Sequence, residues 1–169
     1  RKVYIGVDNY DAGRMCGKLV KEAIPDGGEV MIYIGRLGQD NAKRRRQGVI
    51  DELLDRKHNP DNYDDIDAQL KGSKYTILGT RLDDFEGQIC KAKAQDDIVK
   101  HQNMKCMVGL FAYEPPEILE AVTSAKKLGS IKIVAFDEAD PTLQGIKDGT
   151  IHGTTVQNPY QYGYLSVKI

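Results

Sequence analysis

Short apolar, β-rich runs alternate along this chain with longer runs whose apolar residues recur at helical spacing. Residues 2–7 predict a first strand, and residues 9–24 a helix stopped by the Pro25-Asp26-Gly27-Gly28 turn. A second strand is predicted over 29–34. The helix over 41–56 follows, with Val49, Ile50, Leu53 and Leu54 as its apolar stripe. Residues 57–72 are polar and acidic and predict a loop; 75–78 predict a third strand, and 86–100 a helix with Ile89, Ala92 and Cys90 inward. The remaining pattern is a strand over 106–111, a helix over 115–127, a strand over 131–136, a short helix over 142–147, a strand over 151–156 and a last helix from Pro159. Proline in a first helical turn fits because that N–H has no helical partner.

Alternation of this kind predicts an α/β fold, a doubly wound, mostly parallel sheet with helices on both faces. The runs 30–34, 107–111 and 133–136 are almost wholly apolar, as strands covered on both faces require. No internal repeat or low-complexity linker interrupts the pattern.

Composition narrows the function classes. The 169 residues carry 24 basic and 25 acidic side chains, a net charge of -1, so no electrostatic footprint for nucleic acid or an anionic membrane exists. A hydrophobic content of 40% supplies a core. No apolar run approaches the roughly 20 residues of a membrane span. The chain opens on Arg1 in mid-strand and stops at Ile169 in a helical run, so both ends are expected to be those of a fragment. Cys16, Cys90 and Cys106 have no metal-binding spacing. They read as three buried thiols, with one disulfide and one spare thiol as the alternative in an oxidising compartment.

In such a sheet ligands bind beyond the carboxyl ends of the strands. Those ends are Asp8-Asn9, 35–40, 81–85, 112–114, Asp137-Glu138 and Gln157-Asn158, and each carries a polar or ionisable group. A phosphate loop is not among them: neither Gly-x-Gly-x-x-Gly nor the P-loop pattern occurs, and Gly35-Arg36-Leu37-Gly38 reads as a turn. His58, His101 and His152 have no serine or cysteine at a nucleophile elbow, so no catalytic residue is assigned. The acids Asp83-Asp84 and Asp137-Glu138 suit acid–base work if they meet across a cleft, and hydroxyl binding otherwise. The run Asp61–Asp67 resembles a calcium loop, yet Ile66 and Gly72 stand where such a loop needs glycine and glutamate, so it reads as a solvated acidic loop and no metal is expected. In Lys43-Arg44-Arg45-Arg46 successive residues turn about 100° on a helix, so at most two face a site. Packing or solvation explains Arg44 and Arg46, whereas Lys43 and Arg45 suit either role.

This inventory fits a neutral polyol. Sugars need groups that exchange hydrogen bonds with hydroxyls and an aromatic face against the apolar patch of the ring. Phe85 and Tyr113 supply the aromatics; Asn41, Lys43, Glu114, Asp137 and Gln157 supply the polar groups.

These residues resemble a known family. Asp8-Asn9-Tyr10-Asp11-Ala12-Gly13, Asn41-Ala42-x-x-Arg45-x-x-Gly48, Val134-Ala135-Phe136-Asp137, Gln144–Gly149 and Val156-Gln157-Asn158-Pro159-Tyr160 resemble, in order, motifs of periplasmic sugar-binding proteins of the ribose-binding type. The resemblance runs over nearly the whole chain and implies the C-terminal lobe of a type I periplasmic binding protein. By it, Phe85, Asp137 and Gln157 are ligand residues. Lys43 replaces the arginine, and Glu114-Pro115 the Asn-Asp pair, of ribose binders. Lysine lacks the planar fork, and an ionised glutamate only accepts, so the changes point away from ribose within the sugar class.

The resemblance further implies residues 1–158 as the sugar-binding lobe and 159–169 as the start of a return into an N-terminal lobe. It implies a periplasmic location, a monosaccharide ligand, an ABC permease as partner, no cofactor, no nucleic acid and no bond-breaking step. Surface normally covered by the other lobe would favour self-association of this one. Two rival readings stand beside it. One is the effector-binding core of a LacI-type transcription regulator, which shares the fold; the other is an α/β phosphosugar enzyme, which needs phosphate-binding glycines or a base.

Overall fold

In the computed structural model, which describes residues 4–168, the first helix starts where the Asp8 carboxylate accepts the Tyr10 and Asp11 amides at 2.9 and 3.1 Å. These are donors a helix N-terminus otherwise leaves unpaired. Helices α1 (Asn9–Ala23), α2 (Asp40–Leu53), α3 (Gly87–Lys100), α4 (Glu114–Ser124), α5 (Asp140–Lys147) and α6 (Pro159–Lys168) alternate with strands β1 (Gly28–Ile34), β2 (Leu70–Lys71), β3 (Tyr75–Leu82), β4 (Met104–Gly109), β5 (Lys132–Phe136) and β6 (Gly153–Thr155). The sheet runs β2-β3-β1-β4-β5-β6, with every pairing parallel except the short β2–β3 edge. Strand order reverses at β1, so the crevice between the loops after β1 and β4 is the topological switch point.

Two cores flank the sheet. Val30, Ile32 and Ile34 of β1 pack with α1 and α2 on one face, and Met31 and Tyr33 with α3 and α4 on the other. This double burial explains the unbroken apolar runs of the central strands.

Some expected elements differ. Residues 4–7 form no strand, and the start of the run expected over 2–7 lies outside the described residues. The third strand extends to Leu82, and the strand expected over 151–156 contracts to Gly153–Thr155. In α3 the inward stripe is Cys90, Ala94, Asp97 and Ile98, while Ile89 is 40% exposed and Ala92 is exposed. Asp97 enters the stripe because Tyr33 donates to it at 2.9 Å and Arg81 grips it with Nε and Nη2 at 2.6–3.0 Å. A paired carboxylate in an apolar row shifts the apparent phase of the helix by one position.

The three cysteines are buried free thiols, as expected. Burial pushes the Cys16 thiol up to about 12 and raises Cys90 and Cys106 strongly, which keeps them as unreactive thiols.

The acidic loop is not freely solvated. Arg46 donates to Thr80 Oγ1 at 2.7 Å and to the Asp64 and Asp65 carbonyls at 2.8 Å, so this cation has a packing role. The Asp64 carboxylate accepts Gln47 Nε2 at 2.7 Å and Arg56 Nη1 at 2.5 Å. Partial burial raises the Asp64 carboxyl, and the bonds from Arg56 and Gln47 more than offset this, leaving it below its ordinary value. A carboxyl with a depressed folded value stabilises the protein above its unfolded value of about 3.9 and loses that contribution as pH falls through the folded one. Asp64→Asn is therefore expected to be less stable than the parent at neutral pH, with the gap closing on acidification. Urea unfolding between pH 7 and pH 2.5 measures this, and a gap that stays constant contradicts it.

Candidate functional site

Two strand ends carry residues in left-handed backbone: Asp84 (φ 58°) and Phe85 (φ 66°) after β3, and Asp137 (φ 65°) after β5. Such geometry in non-glycine residues is costly and persists where neighbours hold it. After β3, the Asp83 carboxylate accepts the Phe85 amide at 3.1 Å and so fixes the turn. Gly35, just past β1, makes room for the ring: a Cβ there would lie 2.2 Å from Phe85. After β5, Asp137 donates its amide to the Thr155 carbonyl at 2.8 Å and its carbonyl accepts Thr154 Oγ1 at 2.6 Å. The β5–β6 pairing thus carries the aspartate to the rim.

Asp137 and Gln157 come together there. Gln157 Nε2 donates to Asp137 Oδ1 at 2.8 Å, and both line a recess of about 420 Å³ with Ala112, Glu138 and Tyr162. Both are half-buried, away from the two cores.

Phe85, Phe111 and Tyr113 form an aromatic wall. Phe85 meets Phe111 edge-on with centroids 5.5 Å apart, and Phe111 stacks on Tyr113 at 6.4 Å. Phe85 is 38% exposed, so the wall reaches solvent. Asn41, half-buried at the start of α2, lines a second recess with Asp8 and Asn9.

Glu114 is not at the open rim. It has no exposure; its Oε2 accepts the Leu110 and Phe111 amides at 2.6 and 3.0 Å. Expected as a ligand residue, Glu114 stands five residues past the end of β4 and folds its carboxyl back to close its own loop. Lys43 is exposed on α2, whereas Arg45 is 4% exposed.

Arg45, whose sequence position suits either role, and Phe111, which the sequence does not mark as a site residue, tie the rim together. Arg45 donates from Nε to Asn9 Oδ1 and from Nη1 to the Leu110 carbonyl, both at 3.0 Å. Its guanidinium lies 4.0 Å from the Phe136 ring centroid and 5.3 Å from that of Phe111. It therefore links the start of α1, the β4 end and the β5 end. Burial lowers the pKa of the Arg45 guanidinium, and the Asp137 charge opposes the shift. The signal for Arg45 was the Ala-x-x-Arg-x-x-Gly spacing, which places it on the same face as Ala42 and Val49. Phe111 carried the weaker signal of an aromatic closing an apolar strand.

The rim pairs hydrogen-bonding side chains with an aromatic wall. Among the described residues no group of three or more His, Cys, Asp and Glu side chains could hold a metal. A doubly wound lobe with such a rim defines a class: small-molecule binding lobes. The chain belongs to the periplasmic binding protein domain family, which it matches over residues 1–169. It is 24% identical over 172 residues to the ribose import binding protein of Haemophilus influenzae, covering 97% of this chain and 50% of that one. It is 20% identical over 169 residues to the D-allose-binding periplasmic protein of Escherichia coli, covering 99% of this chain and 49% of that one. Among solved structures, an ABC transporter solute-binding protein from Burkholderia graminis in complex with D-arabinose is 26% identical, with a TM-score of 0.82 over 99% of this chain and 54% of that one. The chain spans about half the length of the curated relatives it matches.

Proposed function

We propose that this chain is the sugar-binding C-terminal lobe of a two-lobe solute-binding protein. In this reading residues 1–158 form the lobe and 159–169 begin the return into its partner lobe. The protein captures a monosaccharide in the periplasm and presents it to an ABC permease, without breaking a bond. The observation that carries the reading is the Asp137–Gln157 pair at 2.8 Å beside a partly open aromatic wall. One Asp137 oxygen orients the amide, and the other suits a pair of sugar hydroxyls, while the wall suits the apolar face of a sugar ring. The near-neutral charge suits an uncharged ligand.

Further support comes from the relatives, whose names record import of ribose and binding of D-allose. Among the described residues no helix is long and apolar enough to cross a membrane. Helix α6 has no buried residue and leaves Tyr160, Tyr164 and Val167 exposed, a surface suited to contact with the second lobe. The isolated lobe, with half of the ligand shell, is expected to bind weakly.

Calorimetry with D-ribose, D-allose and D-arabinose, on the protein carrying both lobes, tests this. Asp137→Ala is expected to weaken binding of the preferred sugar about 10- to 100-fold, the cost of about 1.5–3 kcal/mol for a charged hydrogen bond. Unchanged affinity in Asp137→Ala and Gln157→Ala alike removes the site assignment.

A further inference from the structure

We propose that Asp83, Tyr113 and Glu114 form one hydrogen-bonded chain in which Glu114 keeps its carboxyl proton out of solvent, and that this chain positions the aromatic wall. The positioning role rests on the sugar-site reading; the location of the proton does not. The argument begins with a count of hydrogens. A tyrosine hydroxyl has one proton and can donate it once. Tyr113 Oη lies in short contact with Asp83 Oδ1 and 3.2 Å from Glu114 Oε1. It donates to the nearer oxygen, on Asp83. The Glu114 contact is then favourable only if Oε1 carries a proton and donates to Tyr113 Oη. Oε2 is already the acceptor for two backbone amides, so the proton falls on Oε1.

Charge leads to the same assignment. Asp83 and Glu114 are both fully buried, and two ionised carboxylates joined through one hydroxyl repel in a medium of low dielectric. The surrounding groups do not neutralise both. Arg45, from α2, is committed to Asn9 and Leu110, and Lys93, from α3, to the Leu82 carbonyl. Cys90 on α3 is a thiol raised by burial, and Glu117 on α4 adds a further acid. Burial, then the Asp83 charge, hold the Glu114 carboxyl well above its usual range, against the two amides it accepts.

The chain reaches the wall at both ends. Asp83 Oδ1 fixes the Phe85 amide and the Tyr113 hydroxyl, while Glu114 Oε2 fixes the amide of Phe111, the middle ring. Asp83 and Glu114 are thus positioning residues for three rings that they do not themselves extend.

Infrared spectroscopy of the 169-residue protein without ligand tests the proposal. At pH 7 the parent is expected to show the carbonyl stretch of a protonated carboxylic acid, resolved from the carboxylate bands. Glu114→Gln is expected to abolish it, Asp83→Asn to retain it and Tyr113→Phe to shift it. Glutamine mimics the neutral acid, so Glu114→Gln is expected to melt close to the parent, whereas Glu114→Ala melts well below it. No such band in the parent, a band surviving Glu114→Gln, or a band lost in Asp83→Asn overturns the assignment, as does a Glu114→Gln protein that fails to fold. Proton–nitrogen correlation spectra read the wall: Tyr113→Phe is expected to move the Phe85 amide and leave α1 unmoved. A Phe85 amide indifferent to Tyr113→Phe overturns the positioning role. A protein that binds no sugar would still show the band, so the two readings fail separately.

Discussion

Gly48→Val is expected to cost about 3 kcal/mol or more, a large part of the roughly 5–15 kcal/mol that holds a domain folded. A Cβ on Gly48 would sit 2.1 Å from the Tyr10 carbonyl oxygen, and one on Gly13 would sit 2.1 Å from the Arg45 carbonyl oxygen. The opposing atoms are backbone, so no rotamer change relieves the clash. Helix α1 must instead lift off α2. Glycine inside a helix costs roughly 0.5–1 kcal/mol relative to alanine, and here that cost is outweighed by the closeness of the two axes. The displacement also strains the Arg45–Asn9 bond, because both partners lie at this crossing. Urea unfolding measures the effect. Gly163→Ala, with nothing within 4 Å of the added carbon, is the control and is expected to be neutral or slightly stabilising. Equal midpoints for Gly48→Val and the parent contradict the close crossing.

Arg45→Met is expected to cost about 2–5 kcal/mol, because it leaves two buried acceptors unpaired at about 1–3 kcal/mol each. Methionine fills part of the volume but leaves Asn9 Oδ1 and the Leu110 carbonyl without their donors. It also removes a cation from between the Phe111 and Phe136 rings, an interaction of about 2 kcal/mol when desolvated. Arg45→Lys keeps the charge and is expected to recover only part of the loss, since an ammonium cannot span two acceptors and lie flat on a ring. Thermal unfolding ranks parent, lysine and methionine variants in that order. Lysine equal to arginine would show that charge alone is needed. In the protein with both lobes, sugar affinity is expected to fall in Arg45→Lys even where the protein remains folded, because the rim loses its common anchor.

Much of the fold was legible in the residue pattern. Strands buried on both faces read as unbroken apolar runs, and β1, β4 and β5 fall where those runs lie. The errors fell where a polar residue holds a core position. Asp97 belongs to the inward stripe of α3 only because Arg81 and Tyr33, distant in sequence, neutralise it. The loop over 57–72 reads as solvated because its acids are local, whereas Arg46 and Gln47, which hold Asp64, lie on α2.

The candidate site divides in the same way. Strand ends in a doubly wound sheet converge on one rim whatever their sequence, so Phe85, Tyr113, Asp137 and Gln157 could be named from their positions. Side-chain direction is a different matter. Glu114 and Lys43 carry suitable chemistry beside suitable strand ends, yet one turns into its own loop and the other into solvent.

By itself, then, the sequence determined the alternation of elements, the parallel sheet and the edge at which polar groups gather, because periodicity and burial act locally along the chain. The tertiary structure alone decided which two of four successive cations face inward, which carboxyl becomes part of the core, and that one arginine joins three chain segments. Those outcomes depend on partners 16 to 65 residues away, from Arg81 for Asp97 to Leu110 for Arg45, and on space left by glycines on a neighbouring helix. Contacts of that range are formed only when the sheet brings the segments together.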